Sequence, residues 1–243
     1  METPIYVSLS RMMALRHQMD VVANNVANAT TTGFKQERVQ FAEFLDKPAN
    51  GERVSLVQDR TTVRDLSPGP VSATSNPLDV AISGKGWFAV DTLNGPHYTR
   101  AGRFQLDAKG TIVDNNGLPV MGTGNRPITL PTGTTRINIT GDGSVFSDAN
   151  PLTPVGRIGV VNFQKEQQMT EVGSGLFTTD EIPTPAAKDT KITQGAIEES
   201  NVKPVIEMTN MINVLRQYQG MQKIVDAEHE RLKNMIQKLG RSS

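Results

Sequence analysis

The chain has 243 residues, of which 37% are hydrophobic, with 21 glycines and 14 prolines; that is lean for one compact globule and suits turn-rich β-structure, in one large domain or two small ones. Lysine plus arginine balances aspartate plus glutamate at 25 each, and no basic run is interleaved with aromatics, so the charge signature of nucleic-acid binding is missing. With no cysteine, disulfides, thiolate metal sites and a thiol nucleophile are excluded. No stretch approaches the roughly 20 apolar residues that span a bilayer.

The first ten residues, METPIYVSLS, lack the basic start and continuous apolar core of a cleavable export signal. On these facts alone the expected compartment is the cytoplasm. A first helix is predicted over about 4–28, because Ile5, Leu9, Met12, Met19, Ala23 and Val26 recur at alternating spacings of about three and four. Arg16 alone breaks that line. Pro4 fits a first turn, where its missing N–H costs little. Thr30, Thr31, Thr32 and Gly33 then stop the helix: β-branched residues lower helix propensity, and glycine admits a positive φ. Asn24, Asn25 and Asn28 are poor helix formers near that end. They read equally as a fraying, solvated terminus or as amides that hydrogen-bond between subunits.

Residues 34–75 read as an extended connection, with Val39, Phe41, Phe44 and Leu45 as apolar anchors. The partial alternation over 54–66 is broken by Asp59, Arg60, Arg64 and Asp65. This stretch forms a hairpin or stays mobile until it meets a partner.

A central β-domain is expected over 76–199. Short apolar runs at 80–82, 87–90, 104–106, 111–113 and 136–139 are separated by turn chemistry at 83–86, 107–110 and 114–117, and further strands fit at 143–146, 158–163 and 175–178. Spacing near ten residues indicates an antiparallel meander or a partly closed barrel. Trp87 and Phe88 are assigned to its core. A last helix is expected from Ser200 and Asn201, both good N-cap types, to about Leu239 before Gly240. Met208, Met211, Leu215, Tyr218, Val225, Leu232, Ile236 and Leu239 lie on one 3.5-residue ladder, with Gln222 and His229 as polar exceptions.

No catalytic constellation emerges. His17, His97 and His229 have no ligand neighbours at helical spacing, and no G-x-S-x-G elbow occurs. Ser83-Gly84-Lys85-Gly86 matches a phosphate loop in composition but not in spacing, and reads as a tight turn. The Asp107 and Asp114 turns lack the alternating oxygens and closing glutamate of a calcium loop. A cell-wall hydrolase would need a carboxylate pair or a metal cluster, and neither is found. A coiled-coil oligomer whose β-domain binds a ligand is a further reading, from a different class. No cofactor is expected.

Four motifs, in order along nearly the whole chain, resemble those of the bacterial flagellar rod and hook proteins. They are Asp20 to Asn28 followed by Thr32-Gly33-Phe34-Lys35, then Gly84 to Val90 with Tyr98 to Phe104, then Asp107 to Gly110 with Leu118-Pro119-Val120, and finally Gly195 to Val202 with Glu207-Met208 and Met211-Ile212. Trp87 departs from the phenylalanine or tyrosine more usual there, and 46–66 is the least familiar stretch. The resemblance implies an α+β architecture. The terminal helices, 1–33 and 200–243, pair as a coiled-coil-like α-domain, joined through 34–75 to a central domain of short antiparallel strands at 76–199. It implies a non-enzymatic structural role with assembly through Ile5, Leu9, Met12, Met19, Val26, Asn24, Asn25, Asn28, Gly33, Phe34 and the C-terminal ladder from Met208 to Leu239. The implied partners are the chain itself, proximal and distal rod subunits and the flagellar type III export apparatus, without nucleic acid or membrane insertion. Export of that kind needs no cleaved signal, which moves the expected location to the basal-body rod in the periplasm.

Overall fold

The computed structural model describes residues 3–46, 54–187 and 189–240. The chain divides into two compact units. One comprises residues 1–29, 36–65 and 202–243; the other comprises 30–35 and 66–201.

In the first unit, helix α1 (Thr3–Ala27) is followed by β1 (Glu37–Asp46) and β2 (Val54–Arg64). The two strands pair antiparallel from Glu37 opposite Arg64, with a register shift between Gln40 and Phe41. The 34–75 connection is therefore largely an ordered hairpin belonging to the helical unit, where β1 and β2 both lie against α1. Of the charges that interrupt its alternation, Arg64 is accommodated, donating to Glu37 across the ladder at 3.3 Å. The anchors Phe44 and Leu45 have side chains outside the described residues.

The unit is completed by a long helix, Pro204–Gly240, which packs along α1. It begins at Pro204, later than Ser200-Asn201 suggested. Proline at the first helical position loses nothing, and the carbonyl of Lys203 accepts the amides of Ile206 and Glu207. Asn201 instead turns its amide to the Ser67 carbonyl at 3.1 Å. At about 1.5 Å per residue, 37 residues extend the helix to roughly 55 Å.

The second unit holds short strands, all paired antiparallel, and one 3-10 turn at Glu166–Gln168. In chain order they are β3 (Val71–Ala73), β4 (Val80–Ser83), β5 (Trp87–Thr92), β6 (Gly95–Thr99), β7 (Gln105–Leu106), β8 (Ile112–Val113), β9 (Ile137–Ile139) and β10 (Ser144–Ser147). Next come β11 (Gly156–Arg157), β12 (Val160–Asn162), β13 (Thr170–Gly173), β14 (Leu176–Thr178), β15 (Thr184–Pro185), β16 (Lys191–Gln194) and β17 (Ala196–Glu198); the C-terminal helix is α2. Six strands form one sheet in the order β13-β14-β6-β5-β12-β15, and smaller sheets pair β4 with β16 and β3 with β17.

Strand β5 shows why this unit closes. Side chains alternate across a strand, and here both faces meet apolar neighbours. Phe88 and Val90 enter one buried cluster with Val80, Ile112 and Ile158. Trp87 and Ala89 enter the opposite one with Tyr98, Phe163 and Phe177. Edge-to-face pairs fix the rings, Trp87 on Phe177 at 5.0 Å and Tyr98 on Phe163 at 4.6 Å. The aspartate turns are backbone devices: Asp107 Oδ1 accepts the amides of Lys109 and Thr111, and Asp114 Oδ1 those of Asn116 and Leu118. Those oxygens are committed to their own turns.

Candidate assembly surfaces

On α2 the residues turned inward are Glu207, Met211, Val214, Tyr218, Met221, Val225, Glu228, Leu232 and Met235, each buried or half-buried. Their spacing alternates strictly between four and three, as a helix-on-helix seam demands. The ladder read from the sequence shares Met211, Tyr218, Val225 and Leu232 with this seam. Met208, Leu215 and Ile236 are one residue out of phase and exposed, while Leu239 keeps the phase of the seam but has a side chain outside the described ones. Leu215 keeps 41% of its surface, against 3% for neighbouring Val214.

Helix α1 repeats the pattern. Its buried face carries Ser8, Ala14, Leu15, Val21, Val22 and Asn25. Of the expected line, Leu9 is exposed, Met12, Met19 and Val26 are half-buried, and the side chain of Ile5 is outside the described ones. On α2 a second, exposed apolar row therefore lies beside the seam used within the chain, and α1 exposes Leu9 and Met13.

The three asparagines have separate roles. Asn25, 1% exposed, donates to the Glu37 carbonyl at 2.8 Å and accepts the Glu37 amide at 2.9 Å. It thus pairs with the first residue of β1 as a strand neighbour would. The same amide nitrogen reaches the carboxylate of Glu207 at 3.3 Å. Gln36 and Asn210 donate to that carboxylate at 2.9 and 3.1 Å. A carboxylate buried among three amide donors keeps its hydrogen bonds without water, which lets Glu207 occupy a seam position. Asn28, half-buried, bonds to exposed Asn24 at 2.7 Å and closes the helix end. Asn25 is thus an internal staple, and neither a fraying end nor a bridge between subunits describes it.

Gly33 and Phe34 are buried in the second unit. Gly33 has φ +71°, and a Cβ there would fall 2.5 Å from the Arg100 carbonyl carbon and 2.6 Å from the Ala101 nitrogen. Both the positive φ and the close approach require glycine. Its amide donates to the Glu198 carbonyl at 2.8 Å, and the Phe34 carbonyl accepts from the Asn201 amide. Two passages of the chain through this unit, 33–34 and 198–201, are thus hydrogen-bonded to each other.

Beside these passages lies a charge cluster that sequence reading missed. Lys35, Glu198 and Arg100 are all buried. Glu198 accepts from Lys35 at 2.5 Å and from Arg100 at 3.2 Å, and from the Gly69 amide at 3.0 Å. Lys35 also donates to the Ser67 carbonyl, and Arg100 to the Gly84 carbonyl. Burial pushes the Arg100 guanidinium below its ordinary range, and the facing Glu198 opposes that shift. One carboxylate thus ties the entering passage, the 66–69 linker and the β4–β5 turn. All three residues stand in the recognised motifs, but no spacing rule links positions so far apart.

Among the described residues, no group of three or more His, Cys, Asp or Glu is gathered as a metal would need, and no helix is long and apolar enough to cross a membrane.

Three family models match successive parts of the chain: flagella basal body rod protein over 5–35, flagellar hook protein FlgE/F/G D1 domain over 81–147, and flagellar basal body rod FlgEFG protein C-terminal over 193–238. The flagellar basal-body rod protein FlgF of Caulobacter vibrioides is 37% identical, covering 99% of both chains. FlgF of Salmonella typhimurium is 34% identical over 95% of each. The rod protein FlgG of Bacillus subtilis is 31% identical, over 96% of this chain and 97% of its own.

Proposed function

Because the chain belongs to the flagellar basal-body rod protein family, we propose that it is a FlgF-type subunit of the proximal rod, joined to its neighbours through its terminal helices and passing torque from motor to hook. The family is a structural one, and the role asked of this chain is to pack and to hold.

The observation that carries the reading is the second stripe on α2. Val205, Met208, Ile212 and Leu215 are all exposed and lie three and four residues apart, on one face of the helix. Exposed apolar residues are ordinary when single; a contiguous row marks a surface that meets another protein. Leu9 and Met13 are likewise exposed on α1. Neighbouring subunits would bury the open row of α2 together with Leu9 and Met13. Close-packed seams resist sliding because each side chain sits in a hole of the facing helix, and that resistance is what torque transmission needs.

On this reading the partners are copies of the chain, other proximal and distal rod subunits, and the type III export apparatus. The place of work is the rod in the periplasm. The 31% identity to a FlgG over nearly full length favours a distal-rod position as the second reading.

The test is incorporation into isolated basal bodies. Met208→Asp with Leu215→Asp is expected to abolish incorporation and swimming. Wild-type incorporation of that double variant would retire the assembly role of the stripe. A photo-crosslinker at position 215, read by mass spectrometry, separates the axial positions: adducts with proximal subunits support the first reading, adducts with distal subunits alone the second.

A further inference from the structure

The chain carries ten methionines and no cysteine, so thioethers are the only sulfur that an oxidant can attack. Burial sorts them. Met121 and Met169 are 5% and 2% exposed, whereas Met208 on α2 keeps 52% of its surface and Met13 on α1 keeps 66%. The other described methionines are half-buried. A peroxide arrives from water, so the two exposed sulfurs meet it first, and a buried one meets it only when the fold opens locally.

Surroundings separate the exposed pair. One turn on from Met13 stand Arg16 and His17, polar groups beside which a further polar atom changes little. One turn to either side of Met208 stand Val205 and Ile212, both exposed, so its sulfur lies within the open apolar row of α2. Methionine suits that place while reduced, because a flexible, polarisable thioether adapts to whatever shape covers it. Once oxidised it does not. The sulfoxide oxygen is a hydrogen-bond acceptor, and Val205, Ile212 and Leu215 carry no side-chain donor to satisfy it when water leaves.

We infer that Met208 is a modification site, an oxidation point that closes the row to assembly: a hydroperoxide converts the free subunit to its Met208 sulfoxide, and the oxidised chain does not dock. The role of the row is that of the rod reading above, on which this proposal rests, whereas the choice of sulfur follows from burial alone. In the step, a sulfur lone pair attacks one peroxide oxygen, and an S–O bond forms as the O–O bond breaks. Sulfur gives up two electrons; with hydrogen peroxide, the second oxygen leaves with both protons as water. Sulfoxide reductases reverse the change. Docking covers the sulfur, so the free subunit is the vulnerable form.

Two measurements test the two halves. Purified full-length protein is treated with limiting hydrogen peroxide, and oxidation at each methionine is followed by peptide mass spectrometry. Met208 is expected to react on the order of tenfold faster than Met121 and Met169, which need a local opening. Equal rates at all three would overturn the proposal and leave the rod reading untouched. In cells, Met208→Gln, which sets a polar carbonyl where the sulfoxide would stand, is compared with Met208→Leu, which keeps the position apolar. Isolated basal bodies are expected to contain on the order of tenfold less of the glutamine variant, the cost of an acceptor left unpaired. Equal incorporation of the two sinks the oxidation point. The double variant Met208→Asp, Leu215→Asp then tells what falls with it: if that variant is still excluded, the rod reading stands, and if it assembles, the reading falls as well.

Discussion

Strand β5 and helix α2 use apolar residues in opposite ways. On β5, Trp87, Phe88, Ala89 and Val90 point alternately to two faces, and the same chain covers both. On α2, Val214 is sealed while Leu215 beside it stays in solvent, and the row from Val205 to Leu215 is left open. The β-unit is complete in one chain; the helical unit is complete only on its inner seam. A stable module is thus combined with a reactive one, and substitutions in the two should fail in different ways.

The largest expected effect is in the closed unit. Glu198→Ala would leave Lys35 and Arg100 buried without their shared carboxylate. Removing one partner of a buried ion pair costs about 3–5 kcal/mol. Urea unfolding of the purified variant, followed by Trp87 emission, should show that loss with an unchanged slope. A loss below about 1 kcal/mol would mean that water or another group compensates the cluster.

Adjacent positions on α2 sharpen the contrast. Val214→Asp buries a carboxyl in the seam and is expected to cost roughly 2–4 kcal/mol, read as a fall in helix melting temperature. Leu215→Asp changes an exposed position of the monomer, so its stability should stay within about 0.5 kcal/mol of wild type. If both variants melt alike, the seam and the open row are not distinct surfaces.

The smallest effect separates two asparagines. Asn25→Ala strips Glu37 of both backbone hydrogen bonds to the amide and Glu207 of one donor, at about 1–3 kcal/mol. Asn24→Ala removes one exposed contact, worth about 0.5 kcal/mol or less. Amide exchange at Glu37 checks it directly: faster exchange in the Asn25 variant alone is expected, and parallel behaviour would contradict the internal staple.

Much of the β-unit was legible. The strands at 80–83 and 87–92 follow apolar runs bounded by turn residues, because a strand buried on both faces writes itself as a continuous apolar stretch. β6 was not legible, since Gly95-Pro96-His97 carries no such run and is a strand only through its partner β5. The helices were legible as helices, but the phase of their seams was not. A ladder drawn through apolar residues places Met208, Leu215 and Ile236 inside, whereas the chain buries Glu207 and half-buries Glu228. Polar residues can hold seam positions once other side chains satisfy them. For Glu207 those partners come from α1, from the residue before β1 and from the next turn of α2, sites that no local window brings together. The hairpin of β1 and β2 was equally out of reach, since its charged positions look like loop until the pairing of Glu37 with Arg64 is known.

The Ser67 carbonyl accepts from the Asn201 side-chain amide and the Pro70 carbonyl from the Glu199 N–H, and this pair of crossings has a further consequence. A segment whose ends are already fastened side by side can grow, shrink or be exchanged without changing the gap that its flanking chain must bridge, and the closure cost rises only slowly with length. The β-unit is therefore an interchangeable cassette. Diversity of size or surface can accumulate between residues 66 and 198 while the gateway stays constant. Swapping that stretch between relatives at this pair of crossings is the natural way to make chimaeras.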